Sequence, residues 1–151
     1  MRLKFEDTFD NGLIASRDIN VRFSEVDAMG IVWHGNYLKY FEDGREAFGD
    51  RFDLDFVKLY HKEGYLTPLV KVDIEYKRML KLGEKAVVEA RFVPTEAAKI
   101  VFDYRILHSE TRQVLTLGRT VQVFVKEDEL AITIPDFFQE WKTRWLNKND
   151  A

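Results

Sequence analysis

The chain has 151 residues, 46% of them hydrophobic and 14% aromatic, a composition typical of a single folded domain (residues 1–151) rather than of a disordered chain. Its 23 Lys and Arg against 26 Asp and Glu give a net charge of -3, which argues against a basic surface for nucleic acid or an anionic membrane. Because the chain contains no cysteine, disulfides, thiolate metal sites and a cysteine nucleophile are excluded.

The N-terminal segment, residues 1–16, alternates charged and apolar residues and has no hydrophobic stretch of the length of a signal peptide or membrane span. Together with the absence of cysteine, this segment predicts a cytoplasmic protein. The first predicted strand follows at residues 17–24, where Ile19, Val21 and Phe23 share one face.

A long helix is predicted over residues 36–52, because aromatic and small residues recur at steps of three and four: Tyr37, Tyr40, Phe41, Gly44, Phe48 and Phe52. Gly44 costs about 1 kcal/mol relative to Ala inside a helix. It indicates either the close approach of another backbone or a tolerated surface glycine.

The second half of the chain is predicted to be mostly strand. A short helix in the segment FVKLY precedes a turn at Gly64 and Pro68. Residues 69–78 then alternate strictly, with Val70, Val72, Ile74 and Tyr76 facing inward. Three more strands, joined by short links, are predicted within KAVVEARFV, AKIVFDYRILH and QVLTLGRTVQVFVK, and they indicate an antiparallel meander.

An amphipathic helix is predicted from Pro135 to the end of the apolar pattern at Trp145. The order of elements predicts the α+β class, with one antiparallel sheet of about five strands wrapped around one long central helix. Since such a sheet has exposed edges, we expect a homodimer, or a tetramer of dimers, as the assembled form.

The loop before the long helix holds the candidate catalytic groups. The chain has no nucleophile elbow, phosphate loop or paired histidine motif, and its three histidines (His34, His61 and His108) lie on different predicted elements, so no metal is expected. A helix N-terminus offers unpaired N–H groups for an oxyanion, and the nearby Asp27 is a candidate nucleophile or general base.

Other residues of this loop have two interpretations each. Gly30 allows backbone to come close to a substrate, and Trp33 together with Ile31 and Val32 excludes water. In the alternative interpretation, Asp27 only accepts a hydrogen bond from a nearby N–H, His34 is a solvated polar residue, and Asn36 caps the helix.

The string VDAMGIVWHGNYLKYFEDGREAF, with TPLVKVDIEYKRMLKLGE and IPDFF further on, resembles the 4-hydroxybenzoyl-CoA thioesterase family and its YbgC-like acyl-CoA thioesterase relatives. The similarity extends over roughly residues 17–140 and implies the hotdog fold. It implies that Asp27 is the catalytic carboxylate, and that His34 is the helix-start residue whose N–H polarises the thioester carbonyl, with a further role for its side chain.

The resemblance also implies a set of substrate-binding residues. Asn36 and Tyr37 match positions that shape the acyl pocket, which in this family lies at a subunit interface; alternatively, Tyr37 only packs and Asn36 only caps the helix. Gly30 and Trp33 are also candidate substrate-binding residues because of their positions in the loop. The phosphates of coenzyme A then lie near basic side chains, for which Lys77, Arg78, Lys81 and Lys99 are the candidates; alternatively, these side chains form a solvated face. No cofactor is implied, since coenzyme A is part of the substrate.

The expected function is therefore an acyl-CoA thioesterase that acts on a small-molecule substrate. A thioesterase acting on acyl carrier protein, a hydratase or dehydratase, a non-catalytic acyl-CoA binding protein and a structural role are the alternatives, because one fold serves several functions. Met79 and Glu84 occupy positions where many members of the family have Pro and Asp. Both lie in the turn after the second predicted strand, so they affect the shape of that turn and not the role expected for Asp27.

Overall fold

A computed structural model describes residue 9 and residues 11–146 of the chain. Within these residues, the strands are β1 (Ile14–Asn20), β2 (Leu69–Tyr76), β3 (Lys85–Val93), β4 (Lys99–His108), β5 (Val114–Val123), β6 (Val125–Lys126) and β7 (Glu129–Leu130). The α-helices are α1 (Tyr37–Phe52), α2 (Phe56–Glu63) and α3 (Asp136–Leu146).

Five of these strands form one antiparallel sheet in the order β1-β3-β4-β5-β2. The expected α+β fold, with α1 packed against a five-stranded antiparallel sheet, is confirmed. The expected meander is correct for β3, β4 and β5 and wrong for β2. This strand pairs with β5 at the far edge, because the turn between β2 and β3 carries the chain across the sheet rather than into a hairpin.

Helix α1 provides the centre of the hydrophobic core. Its inward face buries Tyr40, Phe41 and Phe48, each 2% exposed or less. Full burial of each such side chain contributes roughly 1.5–3 kcal/mol. Gly44 faces the sheet, where an added Cβ would lie 3.0 Å from a methyl group of Val88. The glycine is therefore explained by close packing, although a side chain rather than a backbone approaches it.

The first strand differs from its prediction. Strand β1 begins at Ile14 and ends at Asn20, three residues earlier at its start and four at its end than residues 17–24. Phe23, expected to face inward, is 83% exposed. The reason is that the chain leaves the sheet after β1 and forms a 3-10 turn at Phe23–Glu25, which ends the alternation of faces.

Strand β2 lies at an edge that α1 leaves uncovered. Val72, Ile74 and Tyr76 share the face of the sheet that packs against α1, but Val72 is 37% exposed and Tyr76 48% exposed. The register with β5 shifts between Leu69 and Lys71, so Val70, predicted to face inward and 57% exposed, lies in an irregularity that breaks the alternation. The alternating pattern therefore overestimates burial at this edge for two reasons: it reports a shared face and not what covers it, and the irregularity at Val70 interrupts that face.

Helices α2 and α3 close the other end of the core. The predicted short helix is confirmed as α2, in which the Asp55 side chain accepts hydrogen bonds from the first turn. The predicted C-terminal helix is confirmed as α3, and Trp141 Nε1 donates to the Phe52 carbonyl at 2.7 Å. No helix in the described part of the chain has the length and apolar character needed to cross a membrane.

Candidate active site

The loop that carries Asp27 is a small hairpin. Val26 and Val32 form an antiparallel bridge, and the Asp27 N–H donates to the Ile31 carbonyl at 2.9 Å. The Gly30 N–H closes the turn on the Asp27 carbonyl at 3.0 Å. Gly30 has a φ of 76°, which favours glycine, so the turn itself requires a glycine at this position.

The Asp27 carboxylate is half-buried and is oriented by its own turn. Its Oδ1 accepts the Met29 N–H at 2.8 Å, which is the hydrogen bond that the alternative interpretation expected. Its Oδ2 has no hydrogen-bond partner among the residues that the structure describes. The carboxylate is therefore held in one orientation while one oxygen remains available to a substrate or a water molecule.

The approach to α1 is a 3-10 turn at His34–Asn36. Within the described chain, the N–H groups of His34 and Gly35 donate to no backbone carbonyl, as expected for the first residues of a helical segment. The ring of Trp33 lies over Gly35, because a Cβ added at Gly35 would lie 2.1 Å from that ring. The two N–H groups thus lie beside a half-exposed indole.

Asn36 does not serve as the predicted cap. It occupies the N-cap position of α1, but its side chain makes no capping hydrogen bond. Its Nδ2 instead donates to the Glu25 carbonyl at 2.8 Å, and the residue is only 8% exposed. Asn36 therefore connects the start of α1 to the chain just before Asp27.

Two tyrosines form a wall beside the turn. Tyr37 and Tyr76 pack edge to face, with ring centroids 5.0 Å apart, and the Tyr76 hydroxyl donates to the His34 carbonyl at 2.9 Å. Burial raises the pKa of both phenols above the ordinary value of 10.0. Both hydroxyls are protonated at neutral pH.

These elements enclose a cleft of about 350 Å³, lined by Asp27, Met29, Ile31, Val32, His34, Tyr37, Tyr76, Lys77, Arg78 and Met79. Seven residues that the sequence assigned to the site meet here: Asp27, Ile31, Val32, His34, Tyr37, Lys77 and Arg78. The cleft has one carboxylate, two basic side chains and an otherwise largely apolar and aromatic wall. Such a site suits an uncharged apolar group attached to an anionic carrier.

The other predicted site residues lie outside this lining. Gly30 forms the turn, Trp33 covers Gly35, and Asn36 is buried behind the loop. Lys99 was predicted near the phosphates, but it starts β4 opposite Val123, whereas Tyr76 faces Thr116 on the same β5 strand. Seven residues of strand correspond to about 24 Å, so within one chain Lys99 lies at the opposite end of the sheet.

Met29, Tyr76 and Met79 also line the cleft, although none of them was predicted to be a site residue. Met29 is 76% exposed and Met79 61% exposed, and together they form an apolar lip of the cleft. The only feature of the sequence that could have pointed to Tyr76 is its position at the end of the alternating β2 pattern. Nothing in the local sequence indicates that this end of the strand lies beside residues some forty positions earlier.

The basic side of the cleft is anchored to the sheet. With the Gln113 amide oriented so that its oxygen faces Arg78, Nε and Nη2 of Arg78 donate to it at 2.8 and 3.2 Å. The Arg78 N–H also donates to the Leu115 carbonyl at 3.0 Å. Arg78 is therefore positioned at the cleft mouth rather than extended into solvent.

Comparison with known proteins identifies the family. Residues 21–142 match the family described as the thioesterase-like superfamily. The chain belongs to this superfamily. The match spans the Asp27 loop, α1 and every strand of the sheet except β1, so the expected relationship to hotdog thioesterases is confirmed.

Individual relatives agree with this assignment. The chain is 34% identical over 135 residues to the "Putative acyl-CoA thioesterase YneP" of Bacillus subtilis, covering 87% of this chain and 95% of the relative. It is 28% identical over 115 residues to the acyl-CoA thioesterase YbgC of Haemophilus influenzae, covering 76% and 80%. The DHNA-CoA thioesterase structure from Staphylococcus aureus superimposes with a TM-score of 0.77 at 26% identity, covering 91% of this chain and 95% of that one. These relatives confirm the expected enzyme class, thioester hydrolases.

Proposed function

We propose that this thioesterase-superfamily member hydrolyses acyl-CoA to a free acid and coenzyme A, with Asp27 as the catalytic carboxylate. The observation that carries the proposal is the composition of one cleft. It combines an oriented carboxylate at Asp27, the helix-start residue His34, and the basic side chains of Lys77 and Arg78 at its mouth. The family match and the acyl-CoA thioesterase relatives support the same substrate class.

The chemistry proposed for Asp27 has two routes. As a general base, its carboxylate removes a proton from water, and the resulting hydroxide adds to the thioester carbonyl carbon. As a nucleophile, the carboxylate itself adds to that carbon, and water later hydrolyses the mixed anhydride. In both routes the C–S bond breaks, and the departing thiolate of coenzyme A takes up a proton.

The helix start is proposed as the oxyanion hole. Negative charge develops on the carbonyl oxygen when the tetrahedral intermediate forms, and preorganised N–H donors stabilise it. The N–H groups of His34 and Gly35 are the candidates, since neither donates to a backbone carbonyl in the described chain. The His34 side chain lines the same cleft, so we propose that it contacts the substrate as well.

The remaining cleft residues are proposed to bind the substrate. Tyr37, Tyr76 and the lip of Met29 and Met79 offer an apolar surface to the acyl group. Lys77 and Arg78 are proposed to attract the phosphates of coenzyme A. No cofactor is needed for this chemistry, because water and the carboxylate supply the attacking group.

A homodimer is proposed as the functional unit. In the described sheet, strand β2 has a neighbour on one side only, and it carries the exposed apolar residues Val70 and Val72, with exposed Leu66 just before it. Edge strands with exposed apolar side chains are normally covered, and a second copy of the chain offers the same strand for pairing. The cytoplasmic location expected from the sequence remains a prediction.

The test is thiol release from a panel of acyl-CoAs ranging from acetyl to palmitoyl and including benzoyl and hydroxybenzoyl. We expect the wild type to hydrolyse at least one of them and Asp27→Asn to lose a hundredfold or more in kcat, the size typical of a catalytic acid or base. Asp18→Asn is the matched control, because Asp18 is an exposed aspartate of β1.

The outcomes separate the alternative functions. Hydrolysis of acyl carrier protein thioesters but not of acyl-CoAs would show that the substrate is attached to acyl carrier protein instead of coenzyme A. The proposed chemistry of Asp27 would then still apply. Tight acyl-CoA binding without thiol release, unchanged in Asp27→Asn, would identify a binding protein. Equal activity of the wild type and a folded Asp27→Asn variant would refute the proposed role of Asp27.

A further inference from the structure

Glu25 accepts four hydrogen bonds just before the candidate catalytic loop. Its backbone carbonyl accepts the Trp33 N–H at 2.9 Å and the Asn36 Nδ2 at 2.8 Å. Its carboxylate oxygen Oε1 accepts the Arg22 N–H at 2.8 Å and the Tyr40 hydroxyl at 3.1 Å. One residue is thereby bonded to the turn before Asp27 and to the beginning of α1.

These contacts connect the two halves of the proposed catalytic machinery. Asp27 lies two residues after Glu25, and its carboxylate is oriented by the hairpin that follows. Trp33 and Asn36 flank the N–H groups of His34 and Gly35, and Tyr40 lies one turn into α1. The separation between the carboxylate and the N–H groups therefore depends on where Glu25 is held.

We propose that Glu25 is a positioning residue, whose carboxylate and carbonyl fix the Asp27 loop relative to the N-terminus of α1. This inference rests on the proposed function, because it assigns Glu25 to the same reaction. Glu25 does not line the cleft, so its effect passes through Asp27 and the helix start and not through substrate contact.

Burial makes these bonds difficult to replace by water. Asn36 is 8% exposed and Tyr40 only 2% exposed. A buried polar group that loses its partner retains the cost of desolvation, so the structure around it shifts until the group finds another partner. Removal of the Glu25 carboxylate leaves the buried Tyr40 hydroxyl, next to the Asp27 loop, without this hydrogen-bond partner.

The experiment compares Glu25→Ala with Glu25→Gln in steady-state kinetics. The amide oxygen of Gln can accept both the Arg22 N–H and the Tyr40 hydroxyl, so the conservative variant preserves the geometry without the charge. We expect kcat to fall at least tenfold in Glu25→Ala, KM to change less than threefold, and Glu25→Gln to stay within threefold of the wild type in kcat.

Glu89→Ala is the control for a general loss of stability. Glu89 is a partly buried glutamate of β3, whose Oε1 accepts from Arg105 Nε at 2.6 Å on the other face of the sheet. We expect Glu89→Ala to lower the melting temperature with little change in kcat. Equal losses of kcat in Glu25→Ala and Glu89→Ala, or a loss in Glu25→Gln as large as in Glu25→Ala, would overturn the proposal.

A second measurement does not depend on activity. The Met29 N–H donates to the Asp27 carboxylate and the Asp27 N–H to Ile31, so their hydrogen exchange reports directly on the loop. We expect faster exchange at both amides in Glu25→Ala and exchange close to that of the wild type in Glu25→Gln. Unchanged exchange in Glu25→Ala refutes the positioning role, whereas absent thiol release with altered exchange refutes only the proposed function.

Discussion

The Tyr76 hydroxyl donates a hydrogen bond to the His34 carbonyl at 2.9 Å and so joins the edge strand β2 to the helix start. Forty-two residues separate the two positions in the chain. The bond holds the backbone next to the proposed oxyanion donors, and the Tyr76 ring packs on Tyr37 in the same wall. The edge strand thus takes part in the site.

We predict that Tyr76→Phe lowers kcat two- to tenfold, which corresponds to a net hydrogen-bond contribution of about 0.5–1.5 kcal/mol. The ring remains, so packing on Tyr37 is preserved, and the melting temperature changes little because Tyr76 is half-exposed. Thiol-release kinetics at saturating acyl-CoA provide the measurement. Unchanged kcat in this variant would show that the hydrogen bond has no role in catalysis.

The anchored guanidinium of Arg78 leads to a second prediction. If Arg78 attracts the phosphates of coenzyme A, Arg78→Gln raises KM for acyl-CoA about three- to tenfold and leaves kcat nearly unchanged, since the group contacts the carrier and not the reacting carbon. Raising the salt concentration should reduce the difference from the wild type, because ions screen the attraction.

Lys62→Gln is the matched control for this loss of charge. Lys62 lies on α2 and lines a different cleft, between α2 and α3. The Lys62→Gln variant should have the same KM, and the same salt dependence of KM, as the wild type. Equal effects of the two substitutions would indicate a general influence of net charge. They would contradict the proposal that Arg78 binds the phosphates of coenzyme A.

The exposed residues of β2 lead to a prediction about assembly. We expect Val72→Lys to weaken the proposed dimer, because a charge then lies on the apolar face at the edge strand. Sedimentation velocity over a range of protein concentrations gives the dissociation constant. Val57→Lys is the control, since Val57 is a 68% exposed valine of α2. A wild-type chain that sediments as a monomer at all concentrations would contradict the proposal.

The elements that the sequence predicted well are those whose side-chain pattern reflects their own burial. Helix α1 and strand β3 match their predicted ranges to within one residue, because one buried face imposes a single period over many residues. The same reasoning failed at Phe23, where the chain turns out of the sheet, and at Val70, where a shift in the pairing with β5 breaks the alternation.

The candidate site was only partly predictable for a similar reason. Asp27 and His34 stand out locally, because an acid and a helix start within ten residues form a recognisable pattern. Tyr76 and Met79 come to the cleft only because β2 pairs with β5 rather than with β3. Strand order follows from contacts between distant residues, which no local period encodes.

Buried tyrosines lead to a prediction about alkaline stability. The pKa of Tyr40 is raised above its ordinary value of 10.0, first by burial and then by the nearby Glu25 carboxylate. In the unfolded chain this phenol loses its proton near pH 10, while in the folded chain it keeps it. The unfolded state therefore binds fewer protons above pH 10, and the free energy of unfolding falls as the pH rises.

Replacing Tyr40 by Phe removes one of these titrating groups. We expect the free energy of unfolding of Tyr40→Phe to fall less steeply between pH 10 and pH 11.5 than that of the wild type, by up to about 1.4 kcal/mol per pH unit. Urea unfolding at each pH provides the measurement. Phe48→Leu, a core substitution without a titrating group, should lower stability at every pH and keep the wild-type slope.

The contact between Trp33 and Gly35 gives the last prediction. An added Cβ at Gly35 would lie 2.1 Å from the Trp33 ring, so Gly35→Ala forces the indole to move. Overpacking of this kind costs roughly 1–3 kcal/mol, and here relief comes either from displacement of the half-exposed ring or from a shift of the turn that carries the proposed oxyanion donors.

A double-mutant cycle distinguishes these two responses. If the turn shifts, Gly35→Ala lowers kcat at least fivefold, and the double variant with Trp33→Ala recovers most of that loss because the clash is gone. If only the ring moves, Gly35→Ala behaves like Trp33→Ala, and the two effects do not add. A loss in Gly35→Ala that persists fully in the double variant would mean that the methyl group itself blocks the substrate at the helix start.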